Sequence, residues 1–189
     1  MKIIDSGMPV EELWSGFFSP KEILNKMGLT AKMKWIVDLG CGYGTFTIPA
    51  AIMLPGSIIY AIDIEKEMIE TVQKKASEEN LRNIVAVQRD FIAIGTKLAD
   101  KSVDYVMLFN ILHAENPVEI LSETFRILKK GGKAGIIHWI FDSKTPRGPS
   151  LEIRPKPEQC KQWTKKAGFS IIGETISLPP YHYGIQIGA

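Results

Sequence analysis

Segments of strand and helix character alternate along this chain, which predicts an α/β fold: a doubly wound parallel sheet with helices on both faces. Three observations carry that reading. Short, nearly continuous apolar runs such as Trp35-Ile36-Val37-Asp38-Leu39 have the pattern of strands buried on both faces. Amphipathic segments separate them, the clearest over 65–79 with Met68, Ile69, Val72 and Ala76 on one face. A glycine-rich turn, Gly40-Cys41-Gly42-Tyr43-Gly44, joins the first strand to the helix that follows.

The elements follow in order. Within an N-terminal helical segment over 1–30, Ser19-Pro20 ahead of Ile23, Leu24 and Met27 reads as an N-capped helix with proline at its first position, stopped by Gly28. A strand at 35–39, a helix at 45–54, a strand at 57–63 and the helix at 65–79 make two strand-helix units. Strands at 84–88 and 103–109 come next, then a helix at 118–128 and a strand at 133–139. Gly131-Gly132 after Lys129-Lys130 reads as a helix stop with cations at the negative end of the dipole. Four prolines in 142–157 predict a surface loop with freedom to move. A helix at 157–167 ends at Gly168, and strands at 169–177 and 182–187 form a hairpin around Leu178-Pro179-Pro180-Tyr181.

With 189 residues, 45% of them apolar, the chain has material for one sizeable core, so a single domain over 1–189 is expected. The formal net charge of +2 lacks the basic excess of a dedicated nucleic-acid binder. Cys41 and Cys160 have neither metal-ligand spacing nor a disulfide framework, which fits a reducing cytoplasm and no metal site. Asp5, Pro9, Glu11 and Glu12 stand where a leader peptide would need an apolar core, and the longest apolar run, 48–54, is too short to span a bilayer.

The glycine turn lets a backbone pass close to a ligand and presents N–H groups at a helix N-terminus, the context of a cofactor site. Thr45 stands where the dinucleotide fingerprint has glycine or alanine, which disfavours a nicotinamide dehydrogenase. Asp38 at the strand end suits a ligand carrying an ammonium. Asp63, 19 positions after Gly44, is placed to accept hydrogen bonds from ribose hydroxyls, or alternatively to cap the helix after it.

Val37-Asp38-Leu39-Gly40-Cys41-Gly42-Tyr43-Gly44 resembles motif I of the class I S-adenosylmethionine-dependent methyltransferases, small-molecule branch. The resemblance covers nearly the whole chain. Ala61-Ile62-Asp63 resembles the acidic end of the second strand, Arg89-Asp90-Phe91 the end of the third, and 121–132 the helix and turn L-x-E-x-x-R-x-L-K-x-G-G. It implies a Rossmann-like seven-stranded sheet of order 3-2-1-4-5-7-6 with strand seven antiparallel. It also implies S-adenosyl-L-methionine as cofactor, held by Asp38, Gly40, Cys41, Gly42, Gly44, Asp63, Ile64, Asp90, Phe91 and Asn110. Asp90 would accept the adenine amine, Phe91 or Ile64 would supply an apolar face, and Asn110 would lie by the methionine group.

Methyl transfer from a sulfonium needs in-line approach and exclusion of water, with a base only if the acceptor must lose a proton. His113 is the candidate base, supported by Glu115 two residues on; a buried structural histidine is the bland alternative. His138 and Trp139 line an acceptor pocket or simply pack in the core. Tyr181 and His182 are site lining or surface residues, and Trp14, Phe17 and Phe18 form a lid or dock onto the sheet. Leu178-Pro179-Pro180-Tyr181 is similar to the Asn-Pro-Pro-Tyr motif of adenine and glutamine N-methyltransferases, but that motif belongs after strand four, where this chain has Asn110-Ile111-Leu112-His113. The expected function is methyl transfer to a small molecule. Rivals are an RNA or protein methyltransferase, which the charge and the lack of an appended binding domain disfavour, and a non-catalytic S-adenosylmethionine-binding protein. Arsenite methylation would need more cysteines than Cys160 alone.

Overall fold

The structure is a computed structural model that describes residues 10–189, so Asp5 and Pro9 lie outside the described residues. The elements run α1 (Glu11–Ser15), α2 (Pro20–Lys26), β1 (Trp35–Leu39), α3 (Thr47–Met53), β2 (Ile58–Asp63), α4 (Lys66–Glu78) and β3 (Ile84–Gln88). They continue α5 (Phe91–Ile94), β4 (Val103–Phe109), α6 (Pro117–Ile127), β5 (Leu128–Trp139), α7 (Pro157–Lys166), β6 (Ser170–Leu178) and β7 (His182–Gly188). The seven strands form one sheet of order β3-β2-β1-β4-β5-β7-β6. Pairs from β3 across to β5 are parallel, and β7 lies antiparallel between β5 and β6.

The period of two along the central strands divides the core. From β4, Val106 and Leu108 join Val37, Leu39 and Ile136 on the face covered by α6, whose Leu121 is fully buried. Tyr105, Met107 and Phe109 join Ile36, Ile59 and Ile137 on the opposite face, under Leu24 and Met27 of the α2 region and Ala50 and Ala51 of α3. Two polar contacts fix the N-terminal segment to that face. Tyr105 Oη donates to the Met27 carbonyl at 2.7 Å, and Gln186 Nε2 donates to the Lys26 carbonyl at 2.8 Å.

Several expectations are corrected. The helix expected at 118–128 ends at Ile127, and Lys129 to Gly132 belong to the start of β5 instead of forming a helix stop. A register shift between Val103 and Tyr105 absorbs the extra residues, and the Gly131 and Gly132 backbones pair with Ala189. Lys129 Nζ meets Asp104 Oδ1 at 2.7 Å, a carboxylate and not a helix terminus. The one-turn helix α5 was not expected from periodicity; Asp90 caps it by accepting from the Ala93 N–H at 3.0 Å.

The stretch 142–157 is irregular, as its prolines require, but it is closely tied to the body. Arg154, only 6% exposed, donates to the carbonyls of Pro149, Ile140, Asp142 and Arg147 and to Thr145 Oγ1. One buried guanidinium therefore replaces the backbone ladder that the prolines forbid.

Candidate cofactor and acceptor site

A cleft of about 380 Å³ opens at the carboxyl ends of β1, β2 and β4. The strand order reverses between β1 and β4, the place where open α/β sheets bind ligands. Of the residues singled out from the sequence, Asp38, Gly40, Cys41, Gly42, Asp63, Ile64, Asp90, Phe91, Asn110 and His113 all line the cleft.

Gly44 does not line it. A Cβ there would come within 3.0 Å of Val72 Cγ2, with φ at +76°, so this glycine seats the loop against α4. Gly40 has both demands, because φ is +72° and a Cβ would stand 2.7 Å from Ile111 Cγ2. That close approach locks the β1 loop against the segment leaving β4.

Two carboxylates organise the cofactor half. Asp63 Oδ2 accepts from the Gly42 N–H at 2.9 Å and Oδ1 from the Glu65 N–H at 3.0 Å, so one side chain clamps the glycine loop and also opens the next helix. Burial raises its pKa, these backbone donors oppose the rise, and the Glu65 charge adds to it. Asp38, 3% exposed, accepts from Thr47 Oγ1 at 2.6 Å. Burial pushes the Asp38 pKa up to about 7, against the Thr47 hydrogen bond, and the Asp63 charge adds a smaller rise. Burial, with Asp38 and Asp63 nearby, raises the Cys41 pKa well above its usual value and keeps it a neutral thiol. Thr47 carries no sequence signal, since a threonine inside a helix nine residues after an aspartate has no fixed meaning.

The side of the site that follows β4 is different in kind. Asn110, at φ +57°, has both amide atoms buried without a hydrogen-bond partner. His113 is 5% exposed, both its ring nitrogens are unpartnered, and burial lowers its pKa to about 4. Glu115 is exposed and does not reach it, so the expected carboxylate support is absent. His138 and His182 are also buried, which overturns the surface reading of His182. Neither lines the cleft, and neither does Trp139, although the His113 and His138 rings lie 5.5 Å apart.

The N-terminal aromatics dock onto the body, as one of the two expectations has it. Trp14 lines the cleft, while Phe18 packs edge-on against Phe46 at 5.2 Å and over His182 at 4.4 Å. An ion pair between Glu11 and Lys75 ties α1 to α4, and Lys75 Nζ also donates to the Tyr43 carbonyl of the glycine loop at 2.7 Å.

A mostly parallel sheet with a glycine loop after β1, a buried carboxylate at the end of β2 and a buried imidazole after β4 has the layout of an α/β ligand site. Known proteins make the class narrower. Residues 30–168 match the family model described as a methyltransferase domain. An uncharacterized protein of Methanocaldococcus jannaschii is 28% identical over 88% of this chain and 75% of its own length. A demethylmenaquinone methyltransferase of a Geobacillus species is 29% identical over 54% of this chain, which spans only 44% of that protein. Among solved structures, an S-adenosylmethionine-dependent methyltransferase from Aquifex aeolicus superposes with a TM-score of 0.82 at 24% identity, covering 91% of this chain and 90% of that one. The chain belongs to the methyltransferase-domain family, whose cofactor is S-adenosylmethionine. No helix among the described residues is long and apolar enough to cross a membrane.

Proposed function

We propose that the chain transfers a methyl group by in-line displacement to a small-molecule acceptor, working as a single domain in the cytoplasm. The observation that supports this most is the meeting, in one cleft, of a carboxylate-lined glycine loop and an uncommitted buried imidazole. When bound, S-adenosylmethionine supplies an electrophilic methyl on a sulfonium and a thioether that leaves without charge.

In this reading Asp63 accepts the ribose hydroxyls. Its two oxygens each take one backbone N–H, which fixes the carboxylate and leaves further lone pairs. Asp90 accepts the adenine amine, with Ile64 and Phe91 as apolar faces. Asp38 and Asn110 hold the ammonium of the methionine group, and the backbone of Gly40, Cys41 and Gly42 permits close approach, with Gly44 seating the loop. His113, neutral at physiological pH, takes the proton of an acceptor hydroxyl as its oxygen attacks.

A small acceptor fits the net charge of +2, and one relative carries demethylmenaquinone methyltransferase as its name. The cytoplasmic assignment fits two free, buried cysteines. The test is calorimetry with S-adenosylhomocysteine and with NAD, followed by labelled-methyl transfer to small-molecule, RNA and protein fractions. Binding of the first ligand alone and label in the small-molecule fraction is the expected result. Label in RNA, with a steep salt dependence, overturns the acceptor class, and binding without any transfer overturns catalysis.

A further inference from the structure

Among the described residues, every buried side-chain nitrogen or oxygen without a hydrogen-bond partner belongs to one of five residues: Asn110, His113, His138, Trp139 and His182. All five stand at one end of the sheet, after β4, at the end of β5 and at the start of β7. They include all three histidines of the chain. The antiparallel register opposes Trp139 to His182 and His138 to Tyr183, and the Trp139 and His182 rings lie 4.3 Å apart.

Uncommitted buried polar atoms destabilise a fold, and five such residues gathered in one place are a mark of ligand recognition rather than of packing. A metal reading fails, because no group of three or more histidine, cysteine or carboxylate side chains among the described residues is placed to hold an ion. The walls are aromatic. Tyr181 stacks on Trp139 at 6.1 Å, and Phe17 meets Trp139 edge-on at 5.3 Å.

The charges nearby select against ions. No carboxylate belongs to the five residues or to the aromatic rings named around them, and Asp38 of the neighbouring cleft is taken by the cofactor's ammonium in the reading above, so a second ammonium would find no counter-charge here. Arg154 is the one permanent charge felt by His138 and His182, and its donors are engaged by four backbone carbonyls and Thr145. A carboxylate ligand would therefore find no free cation. Of the five, the 380 Å³ cleft reaches only Asn110 and His113, and that volume is near the lower bound of roughly 300 Å³ for small-molecule sites, room for about one ligand. A second ligand needs space beyond it. Phe17 and Tyr181, both half-buried and in edge contact at 6.0 Å, form the outer layer on that side.

We infer that His113, His138 and His182, walled by Trp139 and Tyr181, form an acceptor subsite that selects an uncharged aromatic compound bearing hydroxyl oxygens, while Asn110 serves the cofactor. This rests on the methyl-transfer reading above and specifies its acceptor. His138 and His182 act as hydrogen-bonding specificity residues, and His113, the one of the three that reaches the cofactor cleft, sits at the boundary between the two ligands.

The three histidines make the test direct. Imidazole nitrogen signals of ¹⁵N-labelled protein saturated with S-adenosylhomocysteine are followed while 2-naphthol, 2-naphthoate or 2-naphthylmethylamine is added. The expected result is saturable movement of the His138 and His182 signals with 2-naphthol, and at least tenfold weaker effects with the two ions. Unmoved imidazole signals, or equal binding of either ion, overturn the inference. His182→Phe keeps the ring shape and removes the unpartnered nitrogens. It should retain S-adenosylhomocysteine affinity, keep or raise Tm, and weaken 2-naphthol at least tenfold. A lowered Tm with 2-naphthol affinity intact assigns His182 to the fold and overturns its role. If S-adenosylhomocysteine itself fails to bind, the methyl-transfer reading falls first; if it binds and 2-naphthol does not, only the subsite falls.

Discussion

The two halves of the ligand site handle their polar groups in opposite ways. On the cofactor side, Asp63 is gripped by two backbone N–H groups and Asp38 by Thr47, so the side chains are set in place by the protein itself. On the side proposed for the acceptor, His113 and His182 make no side-chain hydrogen bond to the protein. A preorganised half suits a ligand common to a whole family; an uncommitted half suits the partner that differs among members. The contrast also separates energetic roles, because committed groups contribute to the fold while uncommitted ones weaken it.

The largest expected effect comes from that weakening. Burial lowers the His113 pKa to about 4 and the His182 pKa to about 3; for His138 burial, with His113, His182 and Arg154 nearby, lowers it well below its ordinary value. Below the unfolded histidine value, near 6.5, the unfolded chain binds three protons that the folded chain refuses, so stability falls as pH drops. Asp38 works the other way. Its folded pKa is raised to about 7, so over the same window the folded chain holds a proton that the unfolded chain lacks. Asp63, whose pKa burial also raises, adds to the opposing side, so the net is one to two protons, a loss of roughly 1 to 3 kcal/mol per pH unit between about pH 6 and 5. Urea unfolding at several pH values measures it, and His182→Phe should flatten the slope by about one proton. A stability that does not change over that pH range would show that the histidines are not buried neutral.

Next in size is the base. His113→Ala should lower turnover by a factor on the order of 10² or more and leave cofactor affinity nearly intact. His113→Gln separates shape from proton transfer. Full turnover in both variants from pH 6 to 9 would return catalysis to proximity alone.

Asp63→Ala strikes the committed half. Cofactor affinity should weaken by roughly 1.5–3 kcal/mol, the range for a hydrogen bond to a charged partner, with a smaller loss of stability from the released Gly42 and Glu65 N–H groups. Calorimetry set beside thermal unfolding decides it, and a stability loss larger than the affinity loss would make Asp63 chiefly a structural clamp.

The smallest effect sharpens the role of Asp38. An ammonium beside it favours the carboxylate, so affinity for S-adenosylhomocysteine should rise with pH, by at most about tenfold per unit, and level off above about 7. Asp38→Asn should abolish the dependence. Titrations in buffers of different ionisation enthalpy should register proton release with the native chain, and an unchanged profile would place the ammonium elsewhere.

The same division explains what could be read from the sequence. The sheet and the cofactor half are written locally: apolar runs, helix-period faces, and a glycine turn followed by an aspartate at the next strand end. The acceptor half is assembled by topology. His113, His138 and His182 come from three separate segments, and they meet only because β7 slips antiparallel beside β5, an arrangement known here from family resemblance and not from any local pattern. Glu115 looked useful through proximity in sequence, yet it faces solvent. Lys129 and Lys130 looked like helix-end cations, but a bulge in β5 draws them into the sheet. Arg154 was hidden among prolines, since nothing local marks a guanidinium that will collect carbonyls from residues before it.

The position of β7 bears on how the chain is made. Between β5 and β6 lies a slot that only β7, the last strand in chain order, can fill. As the polypeptide emerges from the ribosome, β5 presents an open edge carrying Ile136 and Ile137, and β6 has no neighbour to pair with. An unpaired apolar edge invites pairing with another chain. The interval between synthesis of β5 and of β7 is therefore the period of greatest exposure to misassembly. Only its closing brings His182 against Trp139, so the cofactor half can form on the nascent chain before the acceptor half exists.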